Sequence, residues 1–357
     1  RLDELRIVVC QGGYVGHARS STHVTARIAA TRHSNEKQPL RATLALSQSR
    51  ETSLFKPLLI APWLLCALGA AAPCPAEGAP EVLPHLDATT VLLVVAPHPD
   101  DETLCCAGVI QRVLSVGGQA SVVWITSGDG SQLGELIVEK SLFGNPQKMR
   151  AYAQRRMREA RAATTVLGIA ASGQLFLGYP DGGVLALLSD YRTRAYRSRF
   201  TAAAAVPYEA ALFPQHPYSG ESLERDFAAV LERVRPTLLL APSPLDSHSD
   251  HRATGFLTIA ATRGKPIAVR YWIVHGGEGW PSPRGLLPGV PLTPSPLGAA
   301  LQPGTFTLSA REEDGKLAAL RAYETQLQVT ESFLLAFVRT TELFSVQPTV
   351  ATASGAP

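Results

Sequence analysis

Residues 91–102 read VLLVVAPHPDDE, an apolar run that stops abruptly at His98, Pro99, Asp100, Asp101 and Glu102. A run of Val and Leu with no polar alternation suits a strand covered on both faces, and the helical apolar pattern from Leu104 to Val116 makes a strand–loop–helix unit. The polar cluster therefore falls at the carboxyl end of a strand, where open α/β sheets place their ligands. The alternation continues through QASVVWIT (119–126), an Arg-rich helix near 146–167, QLFLG (174–178), a helix near 222–234, TLLLA (237–241) and IAVRYWIVH (267–275). It predicts an α/β fold, a Rossmann-like, mostly parallel sheet with helices on both faces. A chain of 357 residues, 45% apolar, can bury that core in a single large domain.

A second cluster follows TLLLA in TLLLAPSPLDSHSDHRATG, which carries Asp246, His248, Asp250 and His251. In a parallel sheet both strand ends open on one edge, so His98, Asp101 and His251 can converge on one ion. Two imidazoles and a carboxylate are a common ligand set for catalytic zinc, with the fourth position left to water. Fe2+ is the alternative the same donors admit. A ligating histidine needs an outer partner to fix its tautomer, and Asp246 and Asp250 are candidates.

HPDDE after the first strand and HSDH late in the chain resemble the PIG-L/LmbE-like family of zinc-dependent N-acetylglucosaminyl deacetylases. Supporting pieces stand in family order: TSGDG (126–130), Arg156 and Glu159 before Leu167-Gly168, FLGYPDG (176–182) and KLAALRAYETQ (316–326). The similarity covers roughly residues 88–346. It implies one zinc per chain held by His98, Asp101 and His251, Asp100 as general base, and His248 stabilising or protonating the tetrahedral species. It also implies an acetylated amino-sugar or glycoconjugate substrate. Asp181 in GYPDGG reads either as a turn residue or as part of the substrate pocket. Glu102 reads either as a cap of the following helix, whose amino end favours negative charge, or as a substrate contact. A hydrolase of another amide would keep every one of these residues. A non-catalytic, zinc-bearing carbohydrate-binding protein would need no base beside its metal. The Pro-rich stretch 280–303 has no place on the family pattern.

The first 56 residues differ in kind, with nine Lys/Arg against four Asp/Glu, no sustained period and no Met, and are expected to be a disordered or spurious leader. Lys56, the apolar block PLLIAPWLLCALGAAA (57–72) and the small residues and prolines that follow to 79 have the form of a secretory signal peptide. The competing reading is a partly buried helix or an uncleaved anchor. A deacetylase domain over 80–350 and a short tail, 351–357, complete the expected organisation. Export to the periplasm or the cell exterior follows, with no stable membrane span after processing. The formal charge of +3 includes +5 from the leader, so the body carries about −2 and has no basic excess to hold nucleic acid. Of five cysteines, Cys105 and Cys106 are adjacent, a spacing that strains a mutual bridge and suits no zinc site, and both read as small buried residues. GDGSQLG (128–134) departs from GxGxxG, which argues against a dinucleotide site.

Overall fold

The unbroken apolar runs form the central sheet. In the computed structural model, which describes residues 82–130, Gly134 and 145–349, strands β1 (Val91–Ala96), β2 (Gln119–Thr126), β3 (Gln174–Tyr179), β4 (Leu238–Pro242) and β5 (Ala268–Trp272) pair in parallel in the order β3-β2-β1-β4-β5. The leader, the signal-like block and the tail lie outside the described residues. Leu92 to Ala96 are fully buried, as a strand with helices over both faces requires, and Trp124 of β2 stacks on Phe176 of β3 with ring centroids 4.2 Å apart.

Local sequence sets the helix boundaries. Helix α1 is Asp101–Ser115, and α2 is Pro146–Val166, where Asn145 accepts hydrogen bonds from the backbone of Gln147 and Lys148 and Pro146 occupies the first turn. The buried face of α2 repeats at three- and four-residue steps through Met149, Tyr152, Ala153, Arg156, Ala160 and Ala163. Then come α3 (Val184–Leu188), α4 (Gly220–Val234, capped by Ser219), α5 (Ser249–Thr262), α6 (Ala310–Leu320, with a Ser309–Glu312 capping box) and α7 (Glu324–Leu335). Helix α6 packs on both α1 and α2, while α3, α4 and α5 pack with one another. Right-handed crossovers running outward from β1 in both directions put one such layer on each face of the sheet. The expected doubly covered parallel sheet is therefore what the chain forms.

Two features were not expected. An antiparallel pair, β6 (Gly304–Thr307) and β7 (Thr341–Phe344), stands beside the main sheet, and Cys105 and Cys106 are bonded to each other rather than free. The Pro-rich stretch is anchored to the body: Thr340 N–H donates to Val290 O, Leu292 N–H to Thr341 Oγ1, and Gly289 N–H to Glu313 Oε1. Among the described residues no helix is long and apolar enough to cross a membrane.

Candidate active site

Strands β1 and β4 are hydrogen-bonded neighbours, but the chain leaves β1 toward β2 on one side and returns to β4 on the other. Their carboxyl ends thus flank the switch point of the sheet, where loops diverge and leave a crevice. His98, Pro99 and Asp100 lie in the loop after β1, and Asp101 opens α1. After β4, Asp246 lies in the loop, His248 is the N-cap of α5, and Asp250 and His251 occupy its first turn.

Three atoms meet there. His98 Nδ1 lies 3.3 Å from Asp101 Oδ2, His251 Nε2 lies 3.2 Å from the same oxygen, and the two ring nitrogens are 3.3 Å apart. Ligands bonded to zinc at about 2.0 Å in tetrahedral geometry stand about 3.3 Å from one another, so this triangle fits the ion. The far sides of the rings fit as well. His251 Nδ1 faces Asp246 Oδ2 at 3.1 Å, and His98 Nε2 faces Asp181 Oδ1 at 3.3 Å and Asp250 Oδ2 at 3.4 Å. With a cation bound, carboxylates on those nitrogens would keep the ring protons away from the centre and turn both lone pairs inward. His248 and His275 also bring ring nitrogens within 4.8 Å of members of this set. His248, however, already spends Nδ1 on the Asp250 N–H at 3.3 Å.

The charge pattern follows from burial and pairing. Burial opposes a charge on His251, but Asp101 and Asp246 outweigh it and push its pKa up to about 9. Burial and the neighbouring His98 and His251 pull His248 down to about 3, so it is a neutral imidazole at neutral pH. With Nδ1 accepting from Asp250, its proton sits on Nε2. Asp100 behaves unlike Asp101. Burial raises Asp100 to about 7 even though Arg156 opposes the rise, whereas His251 and His98 overcome burial and hold Asp101 well below the usual carboxylate range.

Asp100 sits in strained backbone with φ 132°, unusual for a residue with a side chain. Its surroundings hold it there: Asp100 N–H donates to Glu102 Oε2 at 3.3 Å, while Arg156 donates to Pro99 O at 2.7 Å and to Asp100 Oδ2 at 3.2 Å. Arg156 also donates to Gly128 O, and a Cβ on Gly128 would lie 2.1 Å from its Nη1, so only glycine fits that turn. Asp181 is held from TSGDG: its N–H donates to Asp129 Oδ1 at 2.8 Å, and Gly130 N–H donates to its Oδ2 at 3.0 Å. It lies in a turn and also faces His98.

The substrate-contact reading of Glu102 is corrected. Glu102 is fully buried, and its carboxylate accepts from Trp124 Nε1 at 2.9 Å and from Tyr323, as well as from the Asp100 N–H. Placed in the second position of α1, it points its carboxylate into the core, where it braces the strained loop.

Four residues were absent from the expected site. Arg156 hides in the apolar face of α2, where its periodicity was the available signal, and Asp129 and Tyr208 support Asp181 from elsewhere in the chain, Tyr208 donating to Asp129 Oδ2 at 2.8 Å. His275 follows IAVRYWIV and so carries the same signal as His98, a polar residue at a strand end. Its ring lies 4.8 Å from that of His251 and 5.1 Å from that of His248.

Residues 93–262 match the family described as GlcNAc-PI de-N-acetylase, PIG-L. A 1D-myo-inositol 2-acetamido-2-deoxy-alpha-D-glucopyranoside deacetylase of Tsukamurella paurometabola is 30% identical over an alignment of 273 residues that covers 68% of this chain and 84% of that protein. The chain belongs to the PIG-L family. A deacetylase of the same name from Nakamurella multipartita is 27% identical over 242 residues, 65% of this chain and 71% of the relative. Among solved structures, the N,N'-diacetylchitobiose deacetylase of Pyrococcus horikoshii aligns with 19% identity over 72% of this chain and 83% of its own, at a TM-score of 0.45. As a PIG-L member the chain is an amidohydrolase.

Proposed function

We propose that this PIG-L protein removes the N-acetyl group from an N-acetylglucosamine-type sugar or glycoconjugate, with one zinc held by His98 Nδ1, Asp101 Oδ2 and His251 Nε2. The observation that carries the reading is the 3.2–3.3 Å triangle of those three atoms beside an aspartate raised to about 7. When bound, the cation supplies Lewis acidity and makes water a competent nucleophile near neutral pH.

The chain's own groups supply the rest. Asp100, raised to about 7 by burial, takes the proton of the attacking water and returns it to the amine that leaves. His248 stays neutral and directs its Nε2–H at the oxyanion as acetate forms, a donor role that its low pKa favours over proton donation. Arg156 keeps Asp100 in place, and Asp246 and Asp250 orient the two ligand rings. The relatives' names supply the substrate class: each acts on an acetamido sugar.

The test is acetate release from a panel holding N-acetylglucosamine, N,N'-diacetylchitobiose, an N-acetylglucosaminyl inositol and an N-acetylated amino acid. Turnover is expected on the sugars with little on the amino acid. Turnover confined to the amino acid, or none with metal bound, would overturn the reading.

A further inference from the structure

The Pro-rich segment after β5 reaches an aromatic row that begins beside the proposed ligands. His275 stacks on Phe333 of α7, with centroids 5.7 Å apart and planes 14° apart, and the Arg284 guanidinium lies 4.6 Å from the centre of the Phe333 ring. Chained with the 4.8 Å between His251 and His275, these separations put Arg284 within about 15 Å of the His251 ring. The row therefore leads from the proposed ligands to an exposed cation.

Arg284 is unusual in how firmly it is presented. Buried Arg339 donates to Pro283 O at 2.8 Å and also reaches Gly285 O and Leu287 O, while Gly285 N–H donates to Ser332 O at 2.7 Å. The backbone on both sides of Arg284 is thus pinned. Its side chain rests on an aromatic face and has no carboxylate partner among the described residues. A guanidinium over a ring, with no carboxylate partner, has N–H groups to offer, and its forked edge matches two oxygens of one carboxylate or phosphate. Because the loop is already ordered, binding there loses little conformational freedom.

We propose that Arg284 is a specificity residue that receives an anionic group, carboxylate or phosphate, carried one or two sugar rings from the acetamide. The proposal rests on the deacetylase reading and narrows it to acidic glycans. It also gives the 280–303 segment a role, as the frame that sets Arg284 over Phe333.

The experiment compares kcat/KM for N,N'-diacetylchitobiose, its 1-phosphate and its carboxylate counterpart oxidised at the reducing end, in the full chain and in Arg284→Gln and Arg284→Lys. Calorimetric binding of the same three ligands is measured in parallel. The wild type is expected to favour one or both acidic forms, mainly through KM. That preference should fall about ten-fold in Arg284→Gln, the usual scale of a charge-assisted hydrogen bond, and recover in part in Arg284→Lys. The two acidic arms tell which oxyanion is recognised. Equal binding of all three ligands, or a preference untouched by Arg284→Gln, overturns the proposal. Preferential binding of an acidic ligand without acetate release would instead retain the subsite and sink the deacetylase reading.

Discussion

Asp100 and Asp101 are neighbours in the chain with opposite surroundings, one facing Arg156 and burial, the other two imidazoles. The difference predicts distinct losses. Asp100→Asn should keep its metal and lose on the order of 10²–10⁴ in kcat, because an amide matches the carboxylate in shape but cannot accept the proton. Asp101→Asn should lose metal instead. Metal analysis and kcat of both purified variants check this, and the reverse pattern would exchange the two roles. Asp246 makes a further case. Its Oδ2 faces His251 Nδ1 and accepts the Val274 and His275 N–H groups, so Asp246→Asn should weaken metal binding about 10–100-fold with the ligands themselves intact. A competition titration with a chelating dye reads that shift, and an unchanged affinity would contradict it. HPDDE and HSDH were legible because each packs several donors into a few consecutive residues. Arg156 and Asp129 stood in pieces of the family pattern with no role to read there, and His275 reaches the site alone; only the fold brings the three together.

At the scale of elements, the buried runs gave away β1, β2, β3 and β4, since a strand covered on both faces leaves no polar alternation to confuse it with a surface strand. The β6–β7 pair and the 280–303 segment were illegible for the opposite reason. They are short or rich in Pro, and their anchors, Arg339, Glu313 and Thr341, are distant in sequence. The join between α1, α6 and β7 depends on an ion pair that no local pattern announces. Lys316 of α6 donates to Glu342 of β7 at 2.9 Å and to Leu104 O at 2.8 Å, while Glu342 accepts the Gly108 and Val109 N–H groups inside α1. Both side chains are essentially fully buried, so Lys316→Met should strand the Glu342 charge and cost about 3–5 kcal/mol. Denaturant unfolding should show a lower midpoint at unchanged slope. A midpoint within error of wild type would mean that Glu342 is held by the helix amides alone.

For the whole molecule, the family and the parallel α/β sheet agree with the reading of its two motifs, while the choice of substrate lies beyond them because the loops that would contact a glycan carry no such motif. An export signal at the amino end would decide where such a glycan is met. We propose that the native protein is exported after cleavage between about Pro73 and Pro80, since Lys56, a short apolar block and small residues stand there in processing order. Amino-terminal sequencing of the native protein checks this, and a cytoplasmic species that retains residues 1–56 would contradict it. We propose that one cation at His98, Asp101 and His251 drives hydrolysis of a sugar acetamide. Its most direct test is acetate release from N,N'-diacetylchitobiose by protein stripped with a chelator and titrated with zinc. Turnover should be lost on stripping and recover, saturating at one zinc per chain, in wild type but not in His251→Ala. Full turnover in the stripped protein, or equal recovery in His251→Ala, would contradict it.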